Sequence, residues 1–454
     1  MYDYWLIGLD CDDSLPADTI LMSRELSGQL KLESGCRLPL YMGRSFIEVQ
    51  IKTLAELPCS CMLVSASVCR QLYIQLGRKY CIRWDEEGLH LGPVVGIMAD
   101  SIQDKERPFA SQSYFFRQCL SEGTKLGMLC FAFRAAAVQF RQGCIEGYSY
   151  QKGKWERGVF PIPDVVYPRE AGYSPYKKRV RERLISLGCS FLNPPYLDKW
   201  QSHQSLSKNH ALQSYLPATR LVNNFQSIDS MLNYYQVVYI KPVAGARGNS
   251  IIRVAKRRHA YVYQYQRNGR TIRRTATSLK ELQESLGHVM GKRKYIVQER
   301  IRLLKSKNSI IDVRVLVQKD GRGQWQITGK ACRIGQSGAI TSNLASGGKA
   351  RQLNQVLLTH FDAGQSKRIM DEINDLALLV AKTIEQEHGL MGEMGIDIGI
   401  DQAGKLWFIE INLRPARQLF TLIGDHNKRL VSVQRPMLYS QYLAGFRQRK
   451  ERVV

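Results

Sequence analysis

The chain has 454 residues, 44% hydrophobic and 23% charged, a balance that builds packed cores and excludes a disordered polymer; the length predicts about three domains. Its 65 Lys and Arg against 40 Asp and Glu leave a formal charge of +25, which favours anionic partners such as nucleotides, acidic metabolites or anionic polymers. No RRM, zinc-finger or helix-turn-helix pattern turns that charge into base reading, so nucleic acid is not an expected partner.

The first residues, MYDYWLIGLDCDD, lack a basic leader and turn acidic at once, and no apolar run reaches a membrane span. A cytoplasmic protein with no membrane partner is expected. The eleven cysteines are scattered, mostly in apolar runs, and Cys59-Ser60-Cys61 lacks C-x-x-C spacing, so reduced thiols are expected. Residues 1–91 hold short β-like runs (CRLPLYMG, FIEVQIKTL, CMLVSASV, YCIRWDEEGLHLG) broken by Gly, Pro and Ser, which predicts a β-rich N-terminal domain without a catalytic constellation. Asp10, Asp12 and Asp13 read as a solvated turn, and no internal repeat is evident along the chain. In residues 92–194, Val94–Ala99, a helix over Ser111–Glu122 and a strand over Leu126–Phe133 predict a βαβ unit. A hairpin turning at Lys152-Gly153-Lys154 and a helix over Tyr176–Leu187 complete this small α/β domain; no G-x-G-x-x-G follows its first strand.

From Leu197 the spacing becomes helical, with Lys199 near the helix start. Val237–Ile240 is β-favouring and runs into Lys241-Pro242-Val243-Ala244-Gly245-Ala246-Arg247-Gly248, followed by a further strand. A lysine at a strand end before such a loop sets an ammonium and backbone N–H groups around a polyphosphate; an ordinary hairpin with an exposed lysine has the same local pattern. Ser278-Leu279-Lys280-Glu281 makes a capping box. Strands follow at Lys294–Val297, Asp312–Val317 and Gln324–Cys332, then the polar loop Ser342–Gly348 and a helix from about Gln365 to His388 whose buried face is Ile369, Ile373, Leu376, Val380 and Ile384.

Met391–Arg417 reads as two strands joined by Asp401-Gln402-Ala403-Gly404, a type I turn in which Asp401 lies opposite Gly404 and Asp397 opposite Phe408. Period-two alternation then gathers Asp397, Glu410 and Asn412 on one face. Three hard oxygen donors suit Mg2+ bound with a nucleotide; a solvated edge strand would carry the same residues.

Taken in order, these pieces resemble the ATP-grasp superfamily over about residues 195–417, and the whole chain is similar to the YheC/YheD proteins described as endospore coat-associated. The resemblance implies an ATP-grasp fold of two α+β subdomains in residues 195–454, with ATP and Mg2+ as cofactors. It assigns Lys199 and Lys241 to the phosphates, Gln298, Glu299 and Ile301 to adenine, Asp312 to ribose and Asn343 to the phosphate neighbourhood. Asp397, Glu410 and Asn412 would hold the metal, and Arg333 and Arg414 would face the transferred phosphoryl group. It further implies a ligase joining a carboxylate to an amine or thiol, or alternatively an ATP-binding structural protein of the spore coat. Ser250 in place of a third loop glycine, Thr341 before Ser-Asn-Leu, and Ala416-Arg417 after Pro415 depart from the relatives and bear on the choice of acceptor.

Overall fold

The computed structural model describes residues 4–447 apart from 101–105, 173, 195, 246–249, 268–269, 339–341 and 343–346. Ala246–Asn249 of the loop after Lys241, together with Thr341 and Asn343, therefore lie outside the described residues.

Strands β1 (Trp5–Asp12), β2 (Thr19–Ser23), β3 (Arg37–Met42), β4 (Ser45–Leu54), β5 (Cys61–Ser65), β6 (Lys79–Asp85) and β7 (Gly88–Gly92) close into a barrel ordered β1-β5-β2-β4-β3-β7-β6. Two helices, α1 (Arg24–Leu30) and α2 (Ala66–Gln71), accompany it. The buried Ile7, Leu9, Ile20, Met22, Leu38 and Leu40 of the first half recur as the buried Val49, Ile51, Met62, Val64, Tyr80 and Ile82 of the second, at a constant offset of 42 residues. Ser23 and Ser65 both cap a helix, accepting from the N–H of Leu26 and Val68. Both helices are followed by a left-handed residue, Lys31 (φ 57°) or Tyr73 (φ 53°). Pairing is reciprocal: Gly8 lies against Cys61 where parallel β1 and β5 meet, and Thr19 against Gln50 where β2 meets β4. The expectation of no internal repeat is thus corrected. Packing specifies apolar character and backbone sign, while residue identity is free to drift.

The second sheet contains β8 (Val94–Ala99), β9 (Leu129–Arg134), β10 (Val138–Gln139), β11 (Cys144–Gln151), β12 (Lys154–Pro161), β13 (Val165–Pro168) and β14 (Ser190–Phe191), ordered β10-β11-β9-β8-β13-β14 with β12 on β11. β8 is parallel to β9 and β13 and wholly buried, as its unbroken apolar run predicts. Helix α3 (Ser113–Lys125) makes the βαβ crossover, the hairpin turns at Lys152-Gly153, and α4 (Pro175–Ser186) matches the predicted helix.

After α5 (Lys199–Ser207), capped by Asp198 and Gln201, a third sheet forms from β15 (Thr219–Leu221), β16 (Val237–Pro242), β17 (Ile252–Lys256), β18 (Tyr261–Arg267), β19 (Arg270–Ala276) and β20 (Tyr295–Glu299), ordered β15-β20-β16-β17-β18-β19. Helices α6 (Phe225–Tyr235) and α7 (Leu279–Met290) cover one face through Ile228, Leu232, Leu282 and Leu286. Ser278 caps α7, but Glu281 reaches back to Thr277.

The fourth sheet contains β21 (Lys305–Ser306), β22 (Ser309–Lys319), β23 (Trp325–Ile334), β24 (Lys349–Arg351), β25 (Glu393–Ile400) and β26 (Leu406–Asn412), ordered β24-β23-β22-β25-β26 with β21 on β22. After the short α8 (Leu353–Leu357), α9 (Ala363–His388) packs on this sheet with the five predicted apolar residues buried. Beyond α10 (Gln418–Leu422), α11 (His426–Leu443) returns to the second sheet, where Gln434 donates to Glu122 at 2.9 Å. Among the described residues no helix is long and apolar enough to cross a membrane.

Candidate functional site

The site is built on the hairpin of β25 and β26. Its turn is longer by one residue than the sequence suggests: Asp401 accepts the N–H groups of Ala403 (2.9 Å) and Lys405 (3.0 Å), and Ile400 pairs with Leu406. Simple alternation from that turn would set Asp397 opposite Ile409, on the wrong face from Glu410. A bulge at Ile409 takes up the extra residue, so Phe408 faces Ile398 and Glu410 faces Asp397 directly. The expected pairing of Asp397 with Phe408 is corrected, while the convergence of Asp397 and Glu410 stands.

This hairpin forms one wall of a cleft of about 340 Å³ between the third and fourth sheets. Lys241, Gln298 and Glu299 line it from the third sheet and Ile301 from the segment after β20; Asp312, Arg333, Asp397 and Glu410 line it from the fourth. The Lys241 ammonium donates to Gln298 Oε1 at 2.5 Å, and Gln298 donates in turn to Thr219 Oγ1 at 2.9 Å. Burial pushes Lys241 down to about 8, with Glu410 opposing and Lys199 reinforcing the shift. Lys199 donates to the carbonyl of Gly245 at 2.8 Å and stands 3.8 Å from Glu410, at the cleft's edge. Burial raises the Glu410 carboxyl and Asp397 adds to it, against the pull of Lys199, Arg314 and Lys241.

Asp397 is 1% exposed and held between two guanidinium groups. Arg333 donates to it at 2.7 Å while also pairing with both oxygens of Asp312 at 2.7 and 2.6 Å; Arg314 binds both Asp397 oxygens, one at 3.0 Å. Burial would raise Asp397, but these arginines override it and hold it at about 2. Asp312 also accepts from Ser342, so both of its oxygens are engaged by protein groups. Asn412 and Arg414 are not in the cleft lining. Asn412 accepts the N–H of Arg414 at 3.0 Å, and Arg414 is exposed among Arg169, Glu170 and Asp100, which follow strands of the second sheet, and Arg181 of α4. Asn343 lies outside the described residues.

Sequence reasoning assigned no role to Arg314, although its place two residues after Asp312 puts both on one face of β22. It also missed Tyr239, Arg253 and Gln264, which form a row across β16, β17 and β18 on the cleft face. Register across strands distant in the chain was the missing information. The donor set fits Mg2+ with a polyphosphate: burial still disfavours the Glu410 charge with Lys199 3.8 Å away, burial likewise disfavours the Lys241 charge, and Mg2+ takes carboxylate, amide and phosphate oxygens.

A family model described as YheC/D like ATP-grasp matches residues 188–443. The chain belongs to this family. Its ATP-grasp fold follows, with the cleft between the third and fourth sheets. The YheC/D-like chain is 28% identical over 395 residues to the endospore coat-associated protein YheD of Bacillus subtilis (strain 168), covering 84% of this chain and 86% of that one. It is 23% identical over 303 residues to the endospore coat-associated protein YheC of the same strain, covering 65% and 82%. Among solved structures, the D-cycloserine synthetase DcsG aligns with a TM-score of 0.47 at 12% identity, covering 77% of this chain and 99% of that one.

Proposed function

We propose that the protein is an ATP-grasp ligase that uses Mg-ATP to activate a carboxylate as an acyl phosphate and passes the acyl group to an amine or thiol. The observation that carries this reading is the gathering of Lys241, Glu410 and Asp397 in the lining of one cleft, with Lys199 3.8 Å from Glu410. Lys241 and Lys199 bind the phosphates, the segment Gln298–Ile301 holds adenine, and Asp312 bounds the ribose; Asn343 is assigned to the phosphates by family resemblance. Glu410, Asp397 and Asn412 hold Mg2+, which when bound neutralises phosphate charge as a Lewis acid. Arg333 and Arg314 must yield part of their hold on Asp397 for this, and each guanidinium so released is free to neutralise phosphoryl oxygens. Arg414, at the boundary with the second sheet, faces the acyl group. The chain is read as three domains, 1–91, 92–194 and 195–454, with the acceptor entering beside the second. Following the names of its relatives, we place its work in the cytoplasm of a spore-forming cell, in association with coat components.

Protein supplied with Mg-ATP and pooled carboxylates and amines is expected to release ADP only when both substrate types are present. ADP at the blank level across a broad panel, with Mg-ATP binding intact, would favour an ATP-binding structural protein of the coat.

A further inference from the structure

Charge is not spread evenly over the fold. Residues 219–310 contain 19 Lys and Arg but 4 Asp and Glu, so this fifth of the chain holds more than half of the +25 excess. Ion pairs form elsewhere, as in Asp18–Arg37, Glu122–Lys125 and Glu393–Arg417, yet no described residue of 219–310 takes part in one. Arg273 of β19 and Arg253 of β17 flank Gln264 in one row across the third sheet. Burial, with Arg300, Arg257 and Arg273 nearby, makes Arg253 less willing to hold its charge. The third sheet therefore presents a cation surface without its counter-charge.

That surface ends in an open strand. β19 is the last strand of the sheet and pairs only with β18. Thr271, Arg273, Arg274 and Thr275 are exposed, and no side chain or loop among the described residues hydrogen-bonds to the outer edge. A second copy of the chain is a poor occupant, because pairing edge to edge would set arginine against arginine. Nucleic acid is a poor one too: Tyr234, on α6, is the one exposed large aromatic among the described residues of this stretch, so no stacking platform lines the edge. We propose that the outer edge of β19 docks an acidic polypeptide segment, which adds to the third sheet as a further strand with its carboxylates against Arg273 and Arg274. Backbone hydrogen bonds supply affinity, and charge selects the partner.

The test titrates full-length protein into a labelled peptide of Val-Glu-Glu-Val repeats, whose paired carboxylates reach both faces of the edge and so both Arg273 and Arg274, read by fluorescence anisotropy. Parallel arms use the same peptide N-methylated at alternate amides and an oligouridylate of equal charge. Binding to the unmodified peptide is expected to weaken at least about tenfold in the double variant R273E/R274E, and by less in R273Q/R274Q. N-methylation is expected to remove it, and the oligonucleotide to bind no better than the methylated peptide. Both substituted residues are exposed, so unchanged thermal unfolding is expected. Equal binding by R273E/R274E, equal binding of the methylated peptide, or tighter binding of the oligonucleotide would overturn the proposal. Nucleotide binding enters none of these arms, so their failure leaves the ligase reading untouched.

Discussion

Lys241 shows what a single buried cation does to binding. Its ordinary value of 10.5 falls to about 8, so below about 8 the ligand-free fold carries an ammonium that burial disfavours, and this penalty is relieved as pH rises. A bound polyphosphate reverses the balance by favouring the charged form. ATP affinity is therefore expected to be full below about pH 8 and to decline above it, with proton uptake on binding, measured by calorimetry in buffers of different ionisation heat. Lys241→Met is expected to cost about 2 kcal/mol of ATP binding at neutral pH and to flatten the pH dependence. Glu410→Gln tests the other pole of the site. Because burial already disfavours the Glu410 charge, the amide is expected to spare folding while raising the Mg2+ needed for ATP-induced thermal stabilisation. Superimposable Mg2+ titrations of wild type and variant would remove Glu410 from the metal set. Both residues were legible in the sequence, since each sits at a strand position that alternation exposes. Arg314 was not given a role, because only the fold reveals that its partner is Asp397.

At the scale of elements, the hairpin of β25 and β26 was legible as two strands and a turn, but its register was not. The turn takes one more residue because Gly404, at φ 86°, follows the Asp401–Gly404 turn in the left-handed region before Lys405 pairs with Asp401; the bulge at Ile409, which restores the face, leaves no local signature in the chain. The anchor of this hairpin was also hidden. Asn193, from the segment after β14, donates to the carbonyls of Glu393 and Leu413 at 2.9 and 2.8 Å and accepts from Gly392 at 2.9 Å. Its side chain thus ties the second sheet to the open end of the β25–β26 hairpin, where both of its strands meet the segment after β14. Asn193→Ala leaves several buried backbone groups without partners and is expected to cost about 3 kcal/mol in denaturant unfolding. Helix α9 fared better and was read nearly to its ends, because five apolar residues at helical spacing are a local signal.

Over the whole molecule, what composition and motif order made legible was the sequence of layers, β-rich, α/β, then two α+β sheets. What they left out was long-range closure, both the barrel's pairing and the return of α11 to α3. The barrel meets the second sheet at Gly43, whose φ of 63° and the Ile162 carbonyl oxygen, standing where a Cβ would be, leave no room for a side chain. Gly43→Ala is expected to lower stability by about 3 kcal/mol, seen as a drop in melting temperature. The barrel's reciprocal pairing also bears on how the chain is made. Strand β1 lies between β5 and β6, and β2 between β5 and β4, so as the chain leaves the ribosome its first half has no sheet to join. Neither half gains a protected core until the second has emerged. Stalled nascent chains ending before Ser45 should be cut at once by a trace of protease, and those that have released Gly92 should resist it.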